Sequence, residues 1–125
     1  MSSDRPVSSA KTGRPYLVVA DGDADMRLYL ARCLSEWRVE RAETGADVLR
    51  LARAAPPALV VCDRSLPDLE GEALCLALRA DPATARVPVL LLAADASEST
   101  CADAVLGKPF NAASLRSEVG SLLDP

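Results

Sequence analysis

The stretch "LVVADGDAD", Leu17 to Asp25, starts as an unbroken apolar run suited to a buried strand and ends in three closely spaced carboxylates, Asp21, Asp23 and Asp25. Negative charge crowded at one strand end is unfavourable unless a cation, a partner or water takes it up. The stretch therefore predicts a strand covered on both faces and something bound beyond its carboxyl end.

The same kind of run recurs along the chain. Tyr16 to Ala20, Ala58 to Cys62 and Val87 to Leu92 are short and mostly unbroken apolar segments, the pattern of parallel strands buried on both faces, while Arg38 to Ala42 alternates as an edge strand would. Between them apolar residues fall at helical spacing: Met26, Leu30, Cys33, Leu34 and Trp37, then Val48, Leu49 and Ala52, then Leu74 and Leu78, then Leu115, Val119 and Leu122. Turn chemistry marks the joints, with Gly45 and Gly71 before helices, Asp81 and Pro82 closing one, and Asn111 placed to cap the last. Strands alternating with helices across short joints imply right-handed crossovers, hence a doubly wound α/β domain with a parallel sheet covered on both faces.

Composition sets the outer limits. The chain has 125 residues, 50% of them apolar, enough for one compact domain over residues 15–125 behind a flexible polar tail over residues 1–14. The net charge of -4 argues against nucleic acid or an anionic membrane as partner, since both favour basic surfaces. The first residues lack the apolar centre of a signal peptide and no later run is long enough to span a bilayer, so a cytoplasmic protein is expected. Cys33, Cys62, Cys75 and Cys101 form no C-x-x-C pair, and the chain has no histidine to complete a zinc site. Buried thiols are the expectation for all four.

In a doubly wound sheet ligands sit beyond the carboxyl ends of the strands. The first strand ends at Asp21, the third at Asp63 in "ALVVCDRSLPDLEG", the fourth at Ala93 and the last at Lys108 in "VLGKPF". Two carboxylates and an ammonium thus converge. Lys11 and Lys108 are the only lysines among 14 basic residues, so Lys108 stands apart from a surface otherwise furnished with arginine. Lysine offers a compact point charge that reaches an anionic oxygen or pairs with a buried carboxylate. Its purely structural role would be a salt bridge holding Asp63, and a role towards phosphate would include that same pair at rest.

The stretches "LVVAD", "LVVCDRSLPDLEG", "VPVLLLAA" and "GKPF", in this order, resemble the receiver domain of two-component response regulators from Tyr16 to Leu123. The resemblance implies a flavodoxin-like fold, a five-stranded sheet of order 2-1-3-4-5, whose third strand ends in the aspartate that accepts a phosphoryl group from a histidine kinase or phosphotransfer protein. Asp63 falls on that position. It also implies that Asp21, Asp63 and the carbonyl of Ser65 are ligands of a magnesium ion, that Lys108 contacts the phosphoryl group, and that the Lys108–Pro109 peptide is cis. The chemistry agrees, because an attacking carboxylate needs its charge partly neutralised and Mg2+ prefers oxygen ligands.

Several positions depart from the family pattern. Ala20 replaces one of the two acids usual at the first strand end, which predicts a weakened Mg2+ site; Asp23 could compensate, although a helix cap is its commoner use. Ala93 replaces the hydroxyl residue that draws the neighbouring loop inward, and Val105 replaces the aromatic switch residue. Only fourteen residues separate Ala93 from Lys108, so the fourth helix of the family is expected to be shortened or missing. These features point to an atypical stand-alone receiver of a bacterial phosphorelay, not an enzyme, accepting phosphate at Asp63 with a non-standard output. The alternative is a pseudo-receiver that binds proteins independently of phosphate. "DGDAD" also resembles the nucleophile motif of haloacid dehalogenase-type phosphatases, but the length and the lack of a downstream acidic metal motif oppose it. A calcium loop is opposed by Met26 and Arg32 at its glycine and closing-acid positions. A monomer or weak dimer is expected, with a downstream protein partner on the first and last helices near Arg32, Glu36, Arg116 and Glu118.

Overall fold

The computed structural model describes residues 16–95, 97, 99 and 101–124; the tail expected over residues 1–14 lies outside them. The described elements follow as β1 (Tyr16–Ala20), α1 (Ala24–Cys33), β2 (Arg38–Ala42), α2 (Gly45–Ala54), β3 (Leu59–Asp63), α3 (Gly71–Ala80), β4 (Val89–Ala93), β5 (Ala104–Gly107) and α4 (Ala112–Leu123). The strands form one parallel sheet in the order β2-β1-β3-β4-β5, as the resemblance implied.

The period of two within each strand sorts its side chains between two helical layers. Val18 and Ala20 of β1, Val60 and Cys62 of β3, and Val89 and Leu91 of β4 pack with Val48 and Ala52 of α2 and with Leu74, Cys75 and Leu78 of α3. The other parity, Leu17, Val19, Leu59, Val61, Leu90 and Leu92, packs with Leu30 and Leu34 from the α1 side and with Leu115 and Val119 of α4. Every residue of β1 and β4 is buried, which is why those strands show no polar alternation. Among the described residues no helix is long and apolar enough to cross a membrane.

Side chains end the helices as the sequence suggests. Asp23 accepts from the Asp25 amide at 3.1 Å, Thr44 from the Asp47 amide at 3.1 Å, and Asn111 from the Ser114 amide at 2.8 Å within a reciprocal capping box. The N-terminus of α2 receives a second acceptor from elsewhere in the chain. Asp68, in the β3–α3 loop, takes the Gly45 amide at 2.8 Å and the Ala46 amide at 3.1 Å, and those bonds hold its carboxyl below the usual carboxylate range.

Two expectations need correction. The first helix ends at Cys33 and does not reach Trp37: the Leu34 amide still bonds to Leu30, but the Trp37 amide turns back onto Leu34 so that the chain can enter β2 at Arg38. Trp37 is half-buried in the layer between the sheet and the α1–α4 pair. The second concerns the cysteines, since Cys75 and Cys101 form a disulfide with a Cα–Cα distance of 6.2 Å. Cys75 lies on the sheet-facing side of α3 and Cys101 packs against the same layer, which brings two distant positions within bonding span. Cys33 and Cys62 remain free. Cys62 is the buried thiol expected, donating to the Asp63 carbonyl at 3.0 Å, with burial and the charges of Asp63 and Asp21 pushing its ionisation far upward.

The β4–β5 connection carries no helix among its described residues, in line with its length. Side chains hold it in place instead. The Ser99 hydroxyl donates to Glu72 at 2.6 Å, and this bond, with Arg64 beside it, lowers the Glu72 pKa. The Asp103 carboxylate accepts from Arg79 at 2.8 Å and from the Val89 amide at 2.8 Å, pinning the entry to β5 beside the start of β4.

Candidate functional site

Three strand ends on one edge of the sheet meet around Lys108. Its ammonium lies 2.7 Å from Asp63 Oδ1 and 3.6 Å from Asp21 Oδ2. Burial alone would lower the Lys108 pKa, but the hydrogen bond to Asp63 and the charges of Asp63 and Asp21 outweigh it and hold the pKa above the ordinary lysine value. The Lys108–Pro109 peptide is cis, and the Lys108 amide bonds to the Ala93 carbonyl at 2.8 Å, continuing the ladder one residue beyond β5.

Asp21 is 5% exposed. Its Oδ1 accepts the Asp23 amide at 2.9 Å, and its carbonyl accepts from Arg27 at 2.7 Å. Its Oδ2 is buried without a hydrogen-bond donor. Such an oxygen is costly unless a cation sits against it, and Lys108 at 3.6 Å supplies charge without a hydrogen bond. Asp63 Oδ2 is held only by a long contact from the Ser65 amide, 3.3 Å. A cleft of about 400 Å³ opens beside these groups, lined by Asp63, Arg64, Ser65, Ala93, Ala94, Asp95 and Lys108.

Asp21, Asp63, Ser65 and Lys108, predicted from sequence as site residues, are thus brought to one edge of the sheet. Ala93 lines the cleft and presents only a methyl group. Ala20 is buried in β1 and leaves the edge one acid short; among the described residues no cluster of three acidic or cysteine side chains forms. Asp23 points its carboxylate at the first turn of α1 and acts as the cap. Val105, paired with Leu91 in the ladder, packs against the α2–α3 layer.

A residue absent from the sequence reading is Arg64, directly after Asp63. Its guanidinium bonds to Glu72 at 2.9 Å, to the Asp95 carbonyl at 3.0 Å, and to the Ser97 hydroxyl and carbonyl at 3.2 and 3.1 Å. It joins the end of β3 to α3 and to the β4–β5 connection. The only sequence signal for it is an arginine adjoining a strand-end acid, which many surfaces share.

A sequence profile of the response regulator receiver domain matches residues 17–119. The chain belongs to that family. The receiver is 31% identical to the sensor histidine kinase TmoS of Ectopseudomonas mendocina over 90% of its own length, but it spans only 12% of that kinase. Among solved structures it superposes on a chain from Chloroflexus aurantiacus assigned as a response regulator with a TM-score of 0.83 and 28% identity, covering 90% of this receiver and 99% of that chain. The receiver domain of a sensor histidine kinase from Pseudomonas aeruginosa, solved with a magnesium ion coordinated in its active-site cleft, superposes with a TM-score of 0.82 at 21% identity, covering 90% and 99% of the two chains, a likeness of fold.

Proposed function

We propose that this receiver accepts a phosphoryl group on Asp63 from the phosphohistidine of a histidine kinase or phosphotransfer protein in the cytoplasm, and that it does so with an altered output. The observation that carries the reading is the 2.7 Å pair between Lys108 and Asp63 beside the buried, donor-free Asp21 Oδ2. In the transfer an Asp63 oxygen bonds to phosphorus while the donor N–P bond breaks and the imidazole keeps its electron pair. Oδ2, the less engaged oxygen, is the one free to attack, and Lys108 is placed to follow the charge onto the phosphoryl oxygens. The chain is an acceptor in this reading and not an enzyme with a separate substrate.

The residues present fit a magnesium ion. Asp21 Oδ2, the Asp63 carboxylate and the Ser65 carbonyl would hold it, and it would supply neutralisation of charge between the attacking carboxylate and the incoming phosphoryl group. With Ala20 in place of an acid, binding is weaker than in a receiver that carries the acidic pair.

The test is incubation with Mg2+ and a small phosphodonor, followed by intact mass. The expected result is slow and partial gain of one phosphoryl mass, abolished in Asp63→Asn. No gain at high donor concentration, together with undetectable Mg2+ binding, would favour a phosphate-independent pseudo-receiver, the reading that Ala93 and Val105 support.

Output is predicted to be muted along the usual route. With a methyl at Ala93 and the connection held by Arg64, Glu72 and Arg79, a beryllofluoride mimic at Asp63 will shift amide resonances at Val105 and at residues 95–104 less than in a receiver with a hydroxyl at the fourth strand end. Large shifts there would show that another group transmits the signal.

A further inference from the structure

The connection between β4 and β5 has no helical ladder among its described residues, and its attachments to the rest of the fold differ in kind. Arg64, itself paired with Glu72, donates to the Asp95 carbonyl and to Ser97, and Glu72 accepts from Ser99, while Arg79 with Asp103 is an ion pair whose side chains are 27% and 42% exposed. Pairs of that exposure contribute little. One further attachment is covalent, from Cys75 in α3 to Cys101. Cys75 is fully buried, whereas Cys101 is partly exposed, in a short turn where its amide and that of Ala102 bond to the Ser99 hydroxyl at 3.1 and 2.9 Å. Cys75 belongs to the core, and Cys101 lies at the margin of the same layer.

We propose that the Cys75–Cys101 disulfide is a thiol–disulfide exchange site for a protein dithiol, and that its reduction frees the β4–β5 connection from α3. The inference rests on the cytoplasmic placement given above, where cystines persist only transiently and serve redox sensing; it does not depend on phosphate acceptance. A thiolate of the dithiol attacks Sγ of Cys101, the less buried residue of the pair. The Cys75–Cys101 bond breaks, a mixed disulfide forms on Cys101, and Cys75 leaves as a thiolate that takes up the proton lost by the attacking thiol. The second thiol of the dithiol then attacks its neighbour's sulfur, releasing Cys101 as a thiolate that is protonated in turn. Two electrons pass to the protein, leaving two cysteine thiols and an oxidised dithiol.

Freed of the bond, the connection keeps the Arg79–Asp103 ion pair, the hydrogen bonds from Arg64 to Asp95 and Ser97, the Ser99–Glu72 contact and the Asp103–Val89 pairing. The connection also reaches the cleft that holds Asp63, since Asp95 lines it and Arg64 bonds both to the Asp95 carbonyl and to Ser97. Thiol state would thus act on the same segment that phosphate moves in other receivers, by a different entrance.

The experiment uses native, folded protein without Mg2+ or phosphodonor. Maleimide labelling after denaturation, read by intact mass, will modify Cys33 and Cys62 in untreated protein and all four cysteines after treatment with thioredoxin or dithiothreitol under native conditions. Hydrogen exchange of amides at residues 95–103 will then quicken by about tenfold in the reduced form, with the amides of β1 and β3 unchanged. Cys101→Ser will show the fast exchange regardless of reductant, and Cys33→Ser will behave as wild type. Should Cys101→Ser fold poorly, reduced wild-type protein carries the comparison. Four reactive cysteines without reductant, a cystine reduced only after unfolding, or equal exchange in the two forms would each overturn the proposal. A protein that fails to take phosphate yet passes these measurements loses only the reading of Asp63.

Discussion

Urea denaturation of Leu91→Ala will give an unfolding free energy about 3 kcal/mol below wild type, from the lost transfer of the side chain and the cavity it leaves. Leu91 lies at the middle of β4, between Cys62 of β3 and Val105 of β5, and is fully buried. Its Cδ2 is 2.8 Å from where a Cβ on Gly71 would stand, so the first residue of α3 rests directly upon it. The helix cannot slide in to fill the void, because the Gly71 amide is fixed to the Arg64 carbonyl at 2.7 Å and Cys75 is bonded to Cys101. Leu76 in the same helix is 60% exposed, and Leu76→Ala is expected to stay within about 0.5 kcal/mol of wild type. A cost below about 1 kcal/mol for Leu91→Ala would show that the layer can collapse after all.

Asp21→Asn is expected to weaken Mg2+ binding by about a hundredfold or more, because in the proposed site Asp21 is a direct ligand and not an outer partner. The readout is the rise in melting temperature on titrating Mg2+, which follows the logarithm of ligand concentration over Kd. Without the ion the variant will melt somewhat below wild type, because the amide oxygen can keep the bond from the Asp23 amide but the charge beside Lys108 is lost, so the Mg2+-dependent rise is measured against each protein's own ion-free baseline. Asp23→Asn, altering only a cap, will retain the wild-type Mg2+ response. An undiminished response in Asp21→Asn would remove Asp21 from the site.

The parts of the fold that were legible in the sequence are those written locally. Runs such as Leu59 to Cys62 declare a strand by lacking polar residues, and Asp23 and Asn111 declare helix starts by their side-chain oxygens. Asp21, Asp63 and Lys108 were legible because each follows a strand, and strand ends share an edge in a parallel sheet. What the sequence concealed are pairings between distant positions. Cys75 reads as one more apolar residue of a helix stripe, and nothing in the 26-residue separation marks Cys101 as its partner. Arg64, Glu72, Arg79 and Asp103 read as ordinary surface charges; their use as fastenings follows from a β4–β5 connection that carries no helix among its described residues and lies beside α3. The over-long first helix has a similar origin, since apolar spacing runs on to Trp37 while the route into β2 decides where the helix stops.

The β3–α3 loop, which carries the Ser65 carbonyl, is anchored at several points before any ion arrives. Ser65 bridges to Glu70, the Asp68 carboxylate grips the start of α2, and Pro67 lies so near Gly22 of the β1–α1 loop that a Cβ there would stand 3.0 Å from its ring. The conformational entropy of aiming that carbonyl is therefore surrendered when the chain folds and not when a cation binds. In the proposed magnesium site the missing acid would in this way be offset by rigidity, the few oxygens left to it acting as a preformed chelate.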